Sequence, residues 1–383
     1  MPAYENDLSE IVYELNRSAP EIVSDKTTSL DKLLTLAVEQ GASDVILVAG
    51  APIAFRINGS LTLTSNKPLS ADELRAMLLP LLTAAHAKEL ETARALDFCF
   101  VRGSIGRFRA NLHHQRGTLA ASIRVLPAQI PTIESLHLPP VLGRLMERRQ
   151  GLILLTGPTG CGKTSTMAAL IDTINGRRRD HIITIEDPVE YQHANRNSIV
   201  EQIEVGHDTP GFAQAVRAVL RQNPDVILIG EMRDTETMAA ALTAAETGHL
   251  VLSSLHTNDA AQTMSRILDS FAAGNQAQLR QQLSLALLAV IAQQLVPAVG
   301  NARLFPAVEI MIANTGIRNL IRTGQDHQIR SLISTGKVEG MMTMDQSLAE
   351  LVHARRIDRD TALAHCYHPD ELRSHLARPT ATA

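Results

Sequence analysis

A phosphate-binding loop is indicated by the segment GPTGCGKTS, residues 157–165, which fits G-x-x-x-x-G-K-[ST] at every fixed position. An apolar run precedes it and a helix-forming run, MAALIDTI, follows it. Glycines let backbone N–H groups turn inward around a phosphate, and the start of the next helix favours negative charge. Lys163 is expected to reach the β- and γ-phosphate oxygens of ATP, and the Thr164 hydroxyl to ligate Mg²⁺. The predicted nucleotide contacts are Gly157, Pro158, Thr159, Gly160, Cys161, Gly162, Lys163, Thr164 and Ser165.

Cys161 occupies a position of this loop at which the motif allows any residue. One interpretation makes it a neutral spacer, and that interpretation is preferred because the motif asks for nothing more. The other is that the helix N-terminus and Lys163 lower the pKa of the thiol and make it sensitive to oxidation.

Two glutamates follow apolar, strand-forming runs. Glu231 follows VILIG in the segment DVILIGEMRD, where an acid at the end of a strand can hold Mg²⁺ through water. Asp225 starts the same run, about 20 Å away at about 3.3 Å per residue, and is too far to share the site. Glu186 ends HIITIE, and the carboxyl ends of parallel strands face the ligand crevice, so Glu186 is predicted to polarise the attacking water. From these segments alone, an exposed carboxylate is the alternative for both residues.

His249 and His256 stand seven residues apart around a further apolar run, in ETGHLVLSSLHTNDA. A histidine that ends a strand beside phosphates can sense the γ-phosphate. An ordinary core or turn histidine is the competing interpretation, and the residues alone favour it.

Composition restricts the classes of partner. Apolar residues make up 45% of the 383 residues and the formal net charge is −4, which argues against nucleic acid as a bulk ligand. The three cysteines form no CxxC pair, so reduced thiols in a cytoplasmic protein are expected. The start of the chain is polar and acidic and does not read as a signal peptide. The longest apolar stretch, residues 283–292, is too short to cross a bilayer and is predicted to be a buried helix, so no direct membrane insertion is expected.

The chain is predicted to be an α/β protein with two domains. An extension at 1–27, predicted to be disordered, precedes a small α+β domain at 28–126 with a hairpin turn near Arg116–Gly117. A proline-marked linker at 127–147 then leads to an ATPase domain at 148–383. The second domain alternates strands and helices, which implies a parallel sheet with helices on both faces. Its strands are predicted at 152–156, 182–185, 226–229 and 250–254, its helices at 163–175, 210–221, 235–247 and 259–271, and a mostly helical tail beyond 275.

Taken together and in this order, four segments resemble the ATPases of type II secretion and type IV pili. GPTGCGKT corresponds to the family's Walker A loop, TIEDPVE to its Asp box, ILIGEMRD to its atypical Walker B strand, and TGHLVLSSLHT to its His box. By this resemblance Glu186 is the catalytic glutamate, Glu231 the Walker B acid, and His249 and His256 are functional. The similarity covers roughly residues 28–375.

The chain is most similar to one branch of that family, the pilus retraction ATPases (PilT-like). GIRNLIR, residues 316–322, is similar to the AIRNLIRE signature of the branch, and the run that continues to residue 352 is also similar. The four-cysteine zinc motif common in extension and type II secretion motors is absent, and the N-terminal region reads as one small domain. SDVILVAGAPIAFRINGSL resembles the opening of the family's PAS-like domain.

Four departures from the family pattern leave the choice of paralogue open. Val45–Ile46 replaces the histidine of the PAS-like opening, Gly316 the first alanine of the signature, Thr323 its closing acid, and Cys161 the usual serine.

The resemblance also implies a role for four arginines of the first domain. Family members form hexameric rings in which arginines of this domain face the bound nucleotide, where they stabilise the charge that develops in phosphoryl transfer. Strand alternation places Arg107 and Arg109 on one face. Arg109 and Arg124 are the preferred candidates and Arg107 and Arg116 rank below them, with a solvated strand face as the alternative for each.

The resemblance therefore implies a cytoplasmic homohexameric motor at the inner membrane, with a RecA-like ATPase domain preceded by the PAS-like domain and a hinge at 127–147. Its implied partners are an inner-membrane pilus platform protein and, as a further candidate, a paralogous motor ATPase. Segment 316–322 is expected to couple hydrolysis to pilus disassembly.

Two alternatives stay open at this point. The first is a motor of a type IV secretion or conjugation system. The second is a non-hydrolysing nucleotide-binding regulator of another pilus motor, against which the intact Lys163, Thr164, Glu186 and Glu231 count.

Overall fold

The computed structural model describes residues 29–57, 59–300 and 303–377, so the predicted extension at 1–27 lies outside the described residues. The chain divides into two compact units, with the division after Ala128. Among the described residues, every helix is too short or too polar to span a bilayer.

Within the described residues, the first unit consists of one antiparallel sheet and three α-helices. Its six strands take the order β3-β2-β1-β6-β5-β4. Its elements are α1 (Ser29–Glu39), β1 (Asp44–Val48), β2 (Pro52–Ile57), β3 (Ser60–Pro68), α2 (Ala71–Leu78), α3 (Ala84–Ala93), β4 (Ala95–Arg102), β5 (Gly106–Gln115) and β6 (Thr118–Leu126). One face of the sheet packs on the helices through fully buried side chains such as Phe55 and Phe108. The predicted hairpin is confirmed, since Arg116 and Gly117 form its turn at φ 47° and 76°.

The second unit is built on a seven-stranded sheet of order β13-β12-β7-β11-β10-β8-β9. Its strands are β7 (Gly151–Thr156), β8 (His181–Glu186), β9 (Ile199–Glu204), β10 (Val226–Ile229), β11 (Leu250–Leu255), β12 (Leu287–Pro297) and β13 (Leu304–Ile312). Its helices are α4 (Val141–Leu145), α5 (Lys163–Arg177), α6 (Phe212–Val219), α7 (Thr235–Glu246), α8 (Ala260–Asp269), α9 (Gln276–Ala286), α10 (Thr315–Thr323), α11 (Ile329–Thr335), α12 (Met344–His353), α13 (Arg359–His365) and α14 (Pro369–Ala377).

The strands of this sheet pair in parallel except β13, which is antiparallel to β12. Apolar layers cover both faces, which explains why β7, β10 and β11 are buried along their whole length. The α/β fold predicted for this part of the chain is therefore confirmed. All four predicted strands and the four predicted helices occur within a few residues of their predicted bounds.

The prediction for residues 283–292 is wrong. Helix α9 ends at Ala286 and strand β12 begins at Leu287, inside the apolar run. A run without periodicity fits a buried strand as well as a buried helix, and here the pairing with β7 and β13 decides for the strand. The tail beyond 275 therefore contains two long strands besides its helices, and β9 is a further strand that the pattern did not predict.

The predicted linker contributes to the core of the second unit. Ile133, Leu138, Leu142 and Met146 are buried there, and α4 lies within the same range. The predicted domain bounds and the PAS-like identity of the first unit stay predictions.

Candidate active site

The phosphate-binding loop joins β7 to α5. Gly157, Gly160 and Gly162 have φ values of 140°, 78° and 88°, a region that side-chain-bearing residues rarely adopt. Gly162 is the N-cap of α5 and supplies no side-chain cap, so its backbone leaves the helix N-terminus to a ligand. The Lys163 ammonium donates to the carbonyls of Gly157, at 2.7 Å, and Pro158, at 3.0 Å, and so lies over the loop. The loop thus has the backbone and the cation that a phosphate site needs.

Burial has a larger effect on the pKa of the Cys161 thiol than the neighbouring Lys163 cation has. The side chain is 3% exposed, and desolvation raises the pKa of its thiol, although Lys163 acts in the opposite direction. The hypothesis of a lowered pKa is therefore wrong. Sγ fills the space beside Gly157, where a Cβ would come within 2.7 Å of it.

Glu186 ends β8 with its carboxylate held by two neighbours. Oε1 accepts from the Thr184 hydroxyl at 2.7 Å and from Gln202 Nε2 at 3.2 Å. Burial raises the pKa of Glu186 above its usual value, while these two hydrogen bonds act against the increase. The result is an oriented carboxylate that is a stronger base than an exposed glutamate.

Glu231 and His256 come together at the ends of neighbouring strands. His256 Nε2 lies 3.4 Å from Glu231 Oε2, and Arg233 Nη2 lies 2.8 Å from Glu231 Oε1. The Ser254 hydroxyl donates to the Gly230 carbonyl at 2.7 Å and fixes the end of β10 against β11.

Sheet order brings the predicted residues to one edge. The loop follows β7, His256 follows β11, Glu231 lies just beyond β10 and Glu186 ends β8, and these four strands are adjacent and parallel. Their registers align, with Thr156 opposite Leu255 and Ile229 opposite Ile185. Lys163, Glu186, Glu231 and His256 therefore share the carboxyl edge of the sheet.

His249 lies at the other edge. It precedes β11, its ring Nδ1 lies 2.9 Å from the Ala244 carbonyl, and its own carbonyl accepts from Gly151 N at the start of β7. The strand between the two histidines is about 20 Å long at about 3.3 Å per residue. The structure thus does not bring His249 to the nucleotide edge of its chain, because the seven-residue spacing spans a whole strand. Asp225 lies at the same far edge, as predicted, and accepts from His181 N.

Three of the four candidate arginines, Arg107, Arg109 and Arg124, lie in a row on the sheet face opposite the core of the first unit. Arg109 and Arg124 are direct cross-strand partners, and Arg107 shares the face of Arg109. Arg109 lies 3.7 Å from Asp97, Arg124 Nε lies 3.0 Å from Asp44, and Arg116 is exposed in the hairpin turn. Their role toward a nucleotide stays a prediction.

The sequence pattern of the type II/IV secretion system protein family matches residues 24–365. The chain belongs to this family. It is 42% identical over 333 residues to the type IV pilus retraction ATPase PilT of Pseudomonas aeruginosa, an alignment that covers 87% of this chain and 96% of that protein. It is 40% identical over 334 residues to a twitching motility protein of Neisseria gonorrhoeae, covering 87% and 89%.

A crystal structure of the pilus retraction motor PilT with bound ADP superposes with a TM-score of 0.83 at 45% identity, covering 90% of this chain and 98% of that one. The chain is therefore a nucleotide-binding secretion-family ATPase with the PilT-like fold.

Sequence reasoning missed two glutamines at this candidate site. Gln202 orients Glu186 from β9, and Gln293 contacts the phosphate-binding loop from β12 at 2.7 Å. Neither β9 nor β12 is predicted from the sequence, so the places of these two side chains in the sheet could not be predicted either. One signal in the sequence is the Gln293–Gln294 pair, which interrupts a long apolar run. Buried side-chain amides need hydrogen-bond partners, and a buried helix offers these two no evident partner.

Proposed function

We propose that this ATPase powers retraction of type IV pili, as a homohexameric ring at the cytoplasmic face of the inner membrane that acts on the pilus platform protein. The observation that carries the proposal is the convergence of Lys163, Glu186, Glu231 and His256 at one sheet edge, in a chain that matches PilT over nearly its whole length. The similarity to that retraction ATPase supports the direction of force.

Glu186 is proposed to take the proton of the attacking water, since its carboxylate is oriented and its pKa is raised. Lys163 and the start of α5 bind the phosphates. His256, beside Glu231, is proposed to sense the γ-phosphate.

Mg²⁺ fits the oxygen donors at this edge. The Thr164 hydroxyl lies in the first turn of α5, and the Glu231 carboxylate is 16% exposed, which leaves it accessible through water. Thr164 and Glu231 are therefore proposed to hold the ion. When bound, it neutralises charge on the phosphates.

Deletion of the gene tests the direction of force. Loss of a retraction motor leaves excess surface pili and abolishes twitching, and complementation with Glu186→Gln is expected to fail although the variant binds ATP. Complementation with Glu91→Gln, an exposed glutamate of α3, is the control and is expected to restore twitching.

The other outcomes separate the alternatives. Absence of surface pili after deletion would mean extension, and unchanged pili with active turnover would mean a secretion motor. No ATP turnover by the purified wild-type hexamer would favour the regulator.

A further inference from the structure

Gln293 is a buried amide that touches the phosphate-binding loop. Its side chain is almost fully enclosed, at 4% exposure. Nε2 donates to the Cys161 carbonyl at 2.7 Å, and Oε1 accepts from the Thr166 hydroxyl at 2.9 Å. One amide thus joins the middle of the loop to the first turn of α5.

The same residue sets how closely the loop can approach β12. Ala292 pairs with Thr156, so Gln293 comes beside Gly157. A Cβ at Gly157 would meet the Gln293 carbonyl oxygen at 2.2 Å, and a Cβ at Gly162 would meet Nε2 at 2.8 Å. Gly157 is therefore required by the β12 backbone at Gln293 as well as by its own φ value, whereas a Cβ at Gly162 would meet the movable end of the Gln293 side chain. Gln293 thus lies beside the loop at its beginning, middle and end.

Only a side chain with both a donor and an acceptor at this distance satisfies these contacts. Glutamate lacks the donor for the Cys161 carbonyl, and methionine lacks donor and acceptor while it keeps a similar volume. A buried carbonyl or hydroxyl that loses its partner costs more than an exposed one, so the loop would relax toward other conformations.

We propose that Gln293 is a positioning residue that holds the phosphate-binding loop in its nucleotide-binding conformation. The inference rests on the proposed binding and hydrolysis of ATP at this loop and is independent of the direction of pilus movement. Gln293 touches no reacting atom. It acts through the Cys161 carbonyl and through Thr166.

Gln294 provides a matched control on the same strand. It points to the opposite face, where its Nε2 donates to the His365 carbonyl at 3.0 Å, at the end of α13. Gln294→Met removes one amide from β12, as Gln293→Met does, without contact to the loop.

The experiment measures the Kd for a fluorescent ADP analogue, kcat and KM for ATP, and the Tm of full-length Gln293→Met, Gln294→Met and wild type. Gln293→Met is expected to raise Kd and KM by about tenfold or more, equivalent to about 1.4 kcal/mol, when both are measured well below its Tm. Its Tm is expected to lie below that of Gln294→Met, because the partners that it leaves unpaired are buried. Gln294→Met is expected to keep the wild-type Kd. A wild-type Kd for Gln293→Met, or equal losses of affinity in both variants, overturns the proposal.

Thr166→Val provides a second test through the other end of the contact. It is expected to weaken ADP binding severalfold, and to add little in a Gln293→Met background, because both changes remove the same hydrogen bond. If Gln293→Met does not fold, an unchanged Kd for Thr166→Val overturns the proposal. If the wild-type protein binds ADP normally but does not turn over ATP, the proposed hydrolysis is overturned. The Kd values of the variants then still decide whether Gln293 positions the loop.

Discussion

At Cys161, burial and a neighbouring cation act on the pKa in opposite directions, and burial has the larger effect. Glu186 shows the same competition, since desolvation raises its pKa while hydrogen bonds from Thr184 and Gln202 lower it. The consequences differ because the chemistry differs. A raised pKa makes the carboxylate a better base, but it keeps the thiol protonated and unreactive.

We expect Cys161→Ser and wild type to lose ATPase activity at the same rate in hydrogen peroxide at neutral pH. The reason is that a buried, protonated thiol reacts slowly, so any loss comes from sites common to both proteins. The measurement is residual ATP turnover against time of exposure. Clear protection by Cys161→Ser would show that the thiolate forms in spite of burial.

The helix that carries the retraction signature, α10, has one face buried and one exposed. Ile317, Leu320 and Ile321 pack into the core that also contains residues of α9. Arg318 belongs to the packed side, since it donates to the carbonyls of Ala313, Ser284 and Leu285 at 2.8, 2.6 and 2.6 Å. Asn319 and Arg322 are exposed and hydrogen-bond to each other at 2.8 Å. The signature thus combines a residue that fixes the helix with residues available to a partner.

Substitutions in α10 should therefore separate stability from retraction. Arg318→Ala is expected to lower the free energy of unfolding by about 2 kcal/mol, because carbonyls at the end of α9 lose a charged donor. Arg322→Ala is expected to leave stability within about 0.5 kcal/mol and ATP turnover unchanged while it slows retraction.

Urea unfolding measures the stability of these variants, and pilus retraction speed measures their coupling to movement. Wild-type retraction by both Arg322→Ala and Asn319→Ala would remove the exposed face of α10 from the coupling role.

At the scale of the whole molecule, the proposed ring predicts a catalytic role for the arginine row of the first unit, Arg107, Arg109 and Arg124. Arg124 is held by Asp44, which also lies 3.8 Å from Arg56 and accepts from the Ser43 hydroxyl at 2.9 Å. Asp44 therefore keeps partners when Arg124 is removed. This makes Arg124 a position at which a catalytic contribution can be tested with little structural cost.

We expect Arg124→Ala to reduce ATP turnover by at least about tenfold while nucleotide binding persists, because an arginine near the γ-phosphate acts on the charge that develops in transfer. Arg116→Asn, at the lower-ranked candidate outside the row, is the comparison variant, since asparagine tolerates the left-handed φ of 47° at this exposed turn. Turnover and Kd are measured on assembled protein. Full turnover by both Arg124→Ala and Arg109→Ala would exclude the two preferred arginines from catalysis.

The sequence by itself determined the phosphate-binding loop, the four central strands and the two glutamates, Glu186 and Glu231, at the carboxyl ends of β8 and β10. These features rest on local rules, since glycine conformation, apolar runs and strand ends are set within a few residues. The family followed from the order of four motifs and the segment at 316–322.

Only the tertiary structure separated His256 from His249 and found Gln293. The two histidines stand in one motif, but a strand carries them to opposite edges of the sheet. Gln293 is 132 residues from Cys161 in the chain and meets it because β12 pairs with β7. Strand pairing between distant segments is decided by the packing of the whole sheet, so no local pattern contains it.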